Sequence, residues 1–127
     1  MNGNPYYVPD KEFRNEQDFK VWQMCELRRF CKAVFEIENE EKEPGFPDVL
    51  AIDNDDRAHL YEFKVAYKNG RFTFESTQPR FFKQYPYLDI HVMVWDAEQH
   101  EMYCIPANIA AAAVLARNSL TLNVRKI

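Results

Sequence analysis

A chain of 127 residues can close one hydrophobic core, and 46% apolar with 15% aromatic residues exclude a disordered or fibrous chain. The net charge of −4 argues against a protein that coats nucleic acid indiscriminately, and three glycines leave no glycine-rich phosphate loop. The longest apolar run, Ile109 to Ala116, falls far short of the roughly 18 residues of a membrane span, so no membrane partner is expected.

The start of the chain, MNGNPYYVPDKEF, lacks the charged-then-apolar pattern of a secretory signal. Helical spacing of Phe13, Phe19, Trp22, Leu27 and Phe30 predicts a helix over about Lys11–Lys32, with Asp10 as its N-cap. A short β-prone run follows at Ala33–Ile37. ENEEKEPG reads as an exposed loop ending in a Pro-Gly turn. Pro47–Ile52 and His59–Tyr67 read as strands joined through DNDDRA, and Arg71–Glu75 as an extension of the same sheet. Ser76 or Thr77 can cap a second helix, with Pro79 tolerated in its first turn and Pro86 stopping it. Leu88–Trp95 is a strong strand, turning through DAEQHE into an antiparallel Met102–Ile105. A helix over Asn108–Arg117 follows Pro106, and SLTLNV can form a last strand. The predicted order is α-β-β-β-α-β-β-α, one α/β (α+β) domain over residues 1–127 with a mixed central sheet flanked by helices.

Charge is segregated. Residues 36–56 carry nine acids (Glu36, Glu38, Glu40, Glu41, Glu43, Asp48, Asp53, Asp55, Asp56) against Lys42 alone. Residues 64–83 carry five bases (Lys64, Lys68, Arg71, Arg80, Lys83) against Glu75 alone. Such runs read first as a solvated face, and second as a pole that attracts cations beside one that attracts phosphates. Three cysteines (Cys25, Cys31, Cys104) without CxxC spacing disfavour a disulfide framework and a structural zinc site, and they point to a reducing, cytoplasmic compartment.

The second and third strands carry the chemistry. Side chains alternate, so Leu60, Glu62, Lys64 and Ala66 share one face, as do Asp48, Leu50 and Ile52. If residues 53–59 close a hairpin, an even register sum sets Asp48 opposite Glu62 or Lys64. Either register gathers Asp48, Glu62 and Lys64 on one side of an otherwise apolar sheet. Two converging carboxylates make a hard-oxygen site suited to Mg²⁺. A lysine beside them can orient or deprotonate a water, or stabilise charge on a phosphate.

GFPDVLAI, a short turn and LYEFKVA place thirteen residues between Pro47-Asp48 and Glu62-x-Lys64. With a helix before them, this resembles the PD-(D/E)xK nuclease superfamily, over roughly residues 11–105. The local detail is most similar to VRR-type nucleases and Holliday-junction resolvases, in which a glycine often precedes the Pro-Asp, as Gly45 nearly does. The resemblance implies a restriction-endonuclease-like α-β-β-β-α-β core and a Mg²⁺-dependent endonuclease, with Mn²⁺ as substitute. It further implies hydrolysis of DNA phosphodiesters, leaving 5′-phosphates, in a bacterial or phage protein acting on branched or recombination-related DNA. Asp48, Glu62 and the backbone carbonyl of Phe63 would be metal ligands, Lys64 the catalytic lysine, and Gln78 a contact to the site or the phosphate backbone. The family often adds a first-helix glutamate. Glu12, Glu16 and Glu26 are candidates, and Glu16 is favoured for its place in the N-terminal half.

Lys68, Arg71, Arg80 and Lys83 are the expected DNA contacts. Phe81, Phe82, Tyr85 and Tyr87 read first as a helix packing on a sheet and second as stacking groups for bases. His59, His91 and His100 read as too scattered for a metal triad, and Cys25 and Cys31 as core or near-core thiols. A chain this small covers few phosphates, which points to a homodimer or a larger complex. Two alternatives stay open: a nuclease fold that binds nucleic acid without cutting, and a protein-interaction domain using the acidic pole.

Overall fold

The computed structural model describes residues 5–37 and 43–127. Glu38, Glu40, Glu41 and Lys42 of the acidic run lie outside the described residues, and of the expected ENEEKEPG loop only Glu43, Pro44 and Gly45 are described, with a turn at Pro44-Gly45. Among the described residues the architecture is α+β: a mixed six-stranded sheet, a two-stranded sheet and three α-helices. In chain order these are β1 (Tyr6–Tyr7), α1 (Glu16–Phe30), β2 (Ala33–Glu36), β3 (Val49–Ile52), β4 (Ala58–Ala66) and β5 (Arg71–Thr73). Then come α2 (Thr77–Gln84), β6 (Ile90–Asp96), β7 (Glu101–Pro106), α3 (Ala107–Arg117) and β8 (Thr121–Asn123), before a 3-10 turn at Val124–Lys126.

The large sheet runs β1-β7-β6-β4-β3-β2. Its central pair, β4 and β6, is parallel and buried on both faces, while the outer pairs are antiparallel. That accounts for the near-continuous apolar run of LDIHVMVW. Alternation divides the core in two. Phe63, Val65, Met93 and Trp95 meet Phe19 and Met24 of α1 on one face. Leu60, Val92 and Val94 meet Phe81 and Phe82 of α2 and the small residues Ala107, Ala110 and Ala113 of α3 on the other.

α1 begins later than expected. Asn15, not Asp10, caps it, its Oδ1 accepting from the Asp18 N–H at 2.9 Å. Phe13 keeps its apolar partners from outside the helix, its ring 4.9 Å from that of Trp95 and 5.3 Å from that of Phe19. Phe30, at the helix end, is exposed, as is Cys25, while Cys31 is half-buried. Arg71–Thr73 does not extend the main sheet. β5 pairs with β8 instead, because Phe72 and Leu122 face each other and both enter the α2/α3 core. Neither residue proposed as the α2 cap acts through its side chain, since Ser76 is already helical and makes no cap bond. At the end of α3, Asn118 takes φ 48° and closes the helix, with Ser119 N–H donating to Val114 O. No helix among the described residues is long and apolar enough to cross a membrane.

Candidate functional site

The β3–β4 hairpin has an even register, pairing Val49 with Tyr61 and Leu50 with Leu60. Carried one step further, it sets Asp48 beside Glu62, and Asp48 N–H donates to Tyr61 O at 3.1 Å. Alternation then sends Glu62 and Lys64 to the face of Leu60, as the sequence pattern predicts. Val49 and Ala51 turn the opposite way, toward α1.

A cavity of about 290 Å³ opens where four segments meet. The start of α1 contributes Glu16, the turn before β3 contributes Gly45, Phe46 and Asp48, β4 contributes Glu62 and Lys64, and the approach to α2 contributes Glu75 and Gln78. Asp48, Glu62, Lys64, Gln78 and Glu16 are therefore brought together. Phe63 differs. Its ring points to the other face, 5.7 Å from that of Phe19, while its backbone lies between Glu62 and Lys64. A second space of about 280 Å³ joins Phe63 to Glu16, Asp48 and Lys20.

Burial makes the cluster costly in isolation. Glu62 is 3% exposed and Lys64 5%, and charged groups so placed need compensating partners. Lys64 Nζ lies 5.4 Å from the centre of the Phe74 ring, within cation–π range. Gln78 is also buried. Its Oε1 accepts from the Glu75 N–H at 3.0 Å, which leaves its NH₂ as a donor. Of the other first-helix candidates, Glu12 precedes α1, and Glu26 pairs with Arg29 at 3.5 Å. Beside the site, Lys20 is held by Glu36 at 3.2 Å.

Glu75 is a cavity residue that sequence reasoning passed over. The available signal was its position as the lone acid in the basic 64–83 segment, three residues before Gln78. With it, the donor set is four carboxylates (Glu16, Asp48, Glu62, Glu75) and one ammonium. Those hard oxygens fit Mg²⁺ or Mn²⁺, and a cation relieves their mutual repulsion.

The basic residues divide. Arg80 and Lys83 are exposed on α2, the helix that carries Gln78 at its start. Lys68 and Arg71 flank the Asn69-Gly70 turn, joined by a β-bridge. Arg71 lines a separate cavity of about 370 Å³ with Arg117 and Lys126. Phe81 and Phe82 are core residues, whereas Tyr85 and Tyr87 are exposed. The reading of the histidines needs correction. Parallel pairing of β4 with β6 brings His59 and His91 together, ring centres 6.0 Å apart, whereas His100 packs against Trp95.

Neither the family models nor the curated proteins compared with this chain gave a match.

Proposed function

We propose that this chain is a Mg²⁺-dependent endonuclease of restriction-endonuclease-like fold that hydrolyses DNA phosphodiester bonds. The observation that carries the reading is the convergence of Asp48, Glu62, Lys64, Gln78 and Glu16 on one cavity, from four segments distant in sequence. A structural role alone gives no reason to gather carboxylates that repel one another beside a buried lysine.

Asp48 and Glu62 would hold the metal, with the Phe63 carbonyl and Glu16 as further oxygen donors. When bound, Mg²⁺ polarises a phosphoryl oxygen and lowers the pKa of water. The chain's own residues do the rest. Lys64, steadied over Phe74, places an ammonium where negative charge develops on the phosphate. Gln78 offers its NH₂ to a phosphate oxygen or to the attacking water. Gly45 lets the turn bearing Asp48 close against α2. Arg80 and Lys83, exposed on α2, would hold the DNA backbone.

The test is a panel of linear, flapped and four-way-junction DNAs incubated with Mg²⁺ and with Mn²⁺. Wild-type protein is expected to cut at least one, and Asp48→Ala and Glu62→Ala to cut none while remaining folded. Full activity in either variant overturns the assignment. Metal binding without cleavage on any substrate selects the non-cutting nucleic-acid-binding module instead.

A further inference from the structure

A second cluster of ligating groups lies on the α1 face of the sheet, apart from the carboxylate cavity. Its origin is the register of the parallel pair. Leu60 is set against Ile90 and Tyr61 against His91, so His59 falls opposite Asp89 and diagonal to His91. All three have the same parity and project from one face. The backbone secures the approach, with Leu60 N–H donating to Asp89 O at 2.8 Å.

The side chains converge on Asp89. Its Oδ1 is 3.0 Å from His91 Nε2, and its Oδ2 bonds His59 Nδ1. One ligand atom from each of the three residues lies within 4.8 Å of the others. In a four-coordinate site with bonds near 2.0–2.2 Å, ligand atoms sit roughly 3.3–3.6 Å apart. Small rotations close that gap, and Asp89, half-exposed, is free to make them.

The outward nitrogens are also engaged. His59 Nε2 lies 2.7 Å from Asp53 Oδ2 in the β3–β4 turn. His91 Nδ1 lies 3.7 Å from Cys104 Sγ on β7, and the Tyr61 ring stacks on that imidazole at 5.1 Å. One nitrogen of each ring thus points inward to a shared carboxylate, and the other is oriented by an outer partner. Metal-bound histidines are held this way, with a carboxylate fixing tautomer and ring angle. A simple ion pair needs one histidine and no outer carboxylate.

We propose that His59, Asp89 and His91 form a second metal site, selective for a borderline first-row divalent cation of the Zn²⁺ class. Two imidazoles and one carboxylate suit Zn²⁺ over Mg²⁺, which prefers oxygen ligands and keeps its waters. His59 Nδ1, His91 Nε2 and an Asp89 oxygen are the ligands, and the fourth position faces solvent. Asp53 is a positioning residue. The ion ties the start of β4 to the start of β6, the two strands of the sheet's central parallel pair.

The experiment is calorimetric titration of metal-free protein with ZnCl₂, in excess Mg²⁺ so that the carboxylate cavity is masked. One equivalent of Zn²⁺ is expected to bind. Affinity should fall at least tenfold in His59→Ala and His91→Ala, and by about 10–100-fold in Asp53→Asn. It should be unchanged in the Asp48→Ala/Glu62→Ala double variant, so this site and the proposed nuclease site fail independently. Absence of Zn²⁺ uptake, or uptake lost only in the double variant, overturns the proposal. Should the histidine variants not fold, Co²⁺-loaded wild-type protein decides by NMR. Hyperfine-shifted ring signals from two of the three histidines support the site, and signals from fewer than two overturn it.

Discussion

Gly45→Ala probes the contact that shapes the cavity. Gly45 sits at φ +85°, and a Cβ there would fall far inside contact with the Thr77 carbonyl oxygen, 2.7 Å from its carbon and 2.9 Å from Phe81 Cβ. The obstacle is largely helix backbone, so no rotamer relieves it. The turn must move away from α2. Forcing a side chain into positive φ costs about 1 kcal/mol or more. Overpacking against the helix adds about 1–3 kcal/mol. The expected loss is about 2–4 kcal/mol, or a fall in Tm of about 6–15 °C for a chain of this size. Asp48 lies on the moving turn and Gln78 on the helix it leaves, so Mn²⁺ affinity should fall with stability. Gly70→Ala is the control. Its φ is +71°, but its Cβ would meet Asn123 Oδ1 and the Arg125 side chain, outside the cavity. It should lower stability and leave Mn²⁺ affinity unchanged. Circular dichroism melts and Mn²⁺ titration read both effects. A Gly45→Ala protein within about 0.5 kcal/mol of wild type, with unchanged Mn²⁺ affinity, would mean that the Gly45–α2 contact does not shape the cavity.

Lys64→Ala and Lys64→Arg should retain metal and DNA binding yet lose about 100-fold or more in single-turnover cleavage, because neither restores a point-like ammonium at that place. Arg80→Ala and Lys83→Ala should weaken duplex binding without touching Mn²⁺ affinity, each lowering the salt slope by about one unit; an unchanged slope in the double variant removes α2 from the interface. Asp96, fully buried at the end of β6, accepts from Arg125 Nε at 2.7 Å and Nη2 at 3.0 Å, so Arg125→Ala should cost about 3 kcal/mol in urea unfolding at neutral pH. Burial pushes the Asp96 carboxyl up, but Arg125 and the Gln99 and Glu98 N–H groups outweigh it and hold it below its ordinary value. The stability it lends is therefore present above the unfolded value, near 4, and drains as pH falls through the lowered one. Wild-type protein should lose stability over that window more steeply than Asp96→Asn; parallel pH curves would contradict this.

Much of the carboxylate cavity was legible because it depends on local parity. Side chains alternate with period two, so a short hairpin with an even register must gather Asp48, Glu62 and Lys64 on one face. Glu16 and Gln78 came from resemblance, since no local rule brings two helix starts to one strand. The start of α1 was misplaced because apolar spacing counted Phe13 as helical, whereas Phe13 packs on Phe19 and Trp95 from outside the helix and Asn15 caps it. The pairing of β5 with β8 joins segments about fifty residues apart, with no turn to set the register. The His59–Asp89–His91 cluster was hidden for the same reason. It depends on the offset between two parallel strands separated by α2, and only the packed core fixes that offset.

Everything proposed for the carboxylate cavity depends on Asp48 and Glu62 forming a hard-cation centre. The most direct measurement is anomalous diffraction from a crystal soaked in Mn²⁺. An anomalous peak is expected between the Asp48 and Glu62 carboxylates, within bonding distance of both. A fully soaked crystal with no peak there, or with Mn²⁺ only at His59, Asp89 and His91, would contradict it.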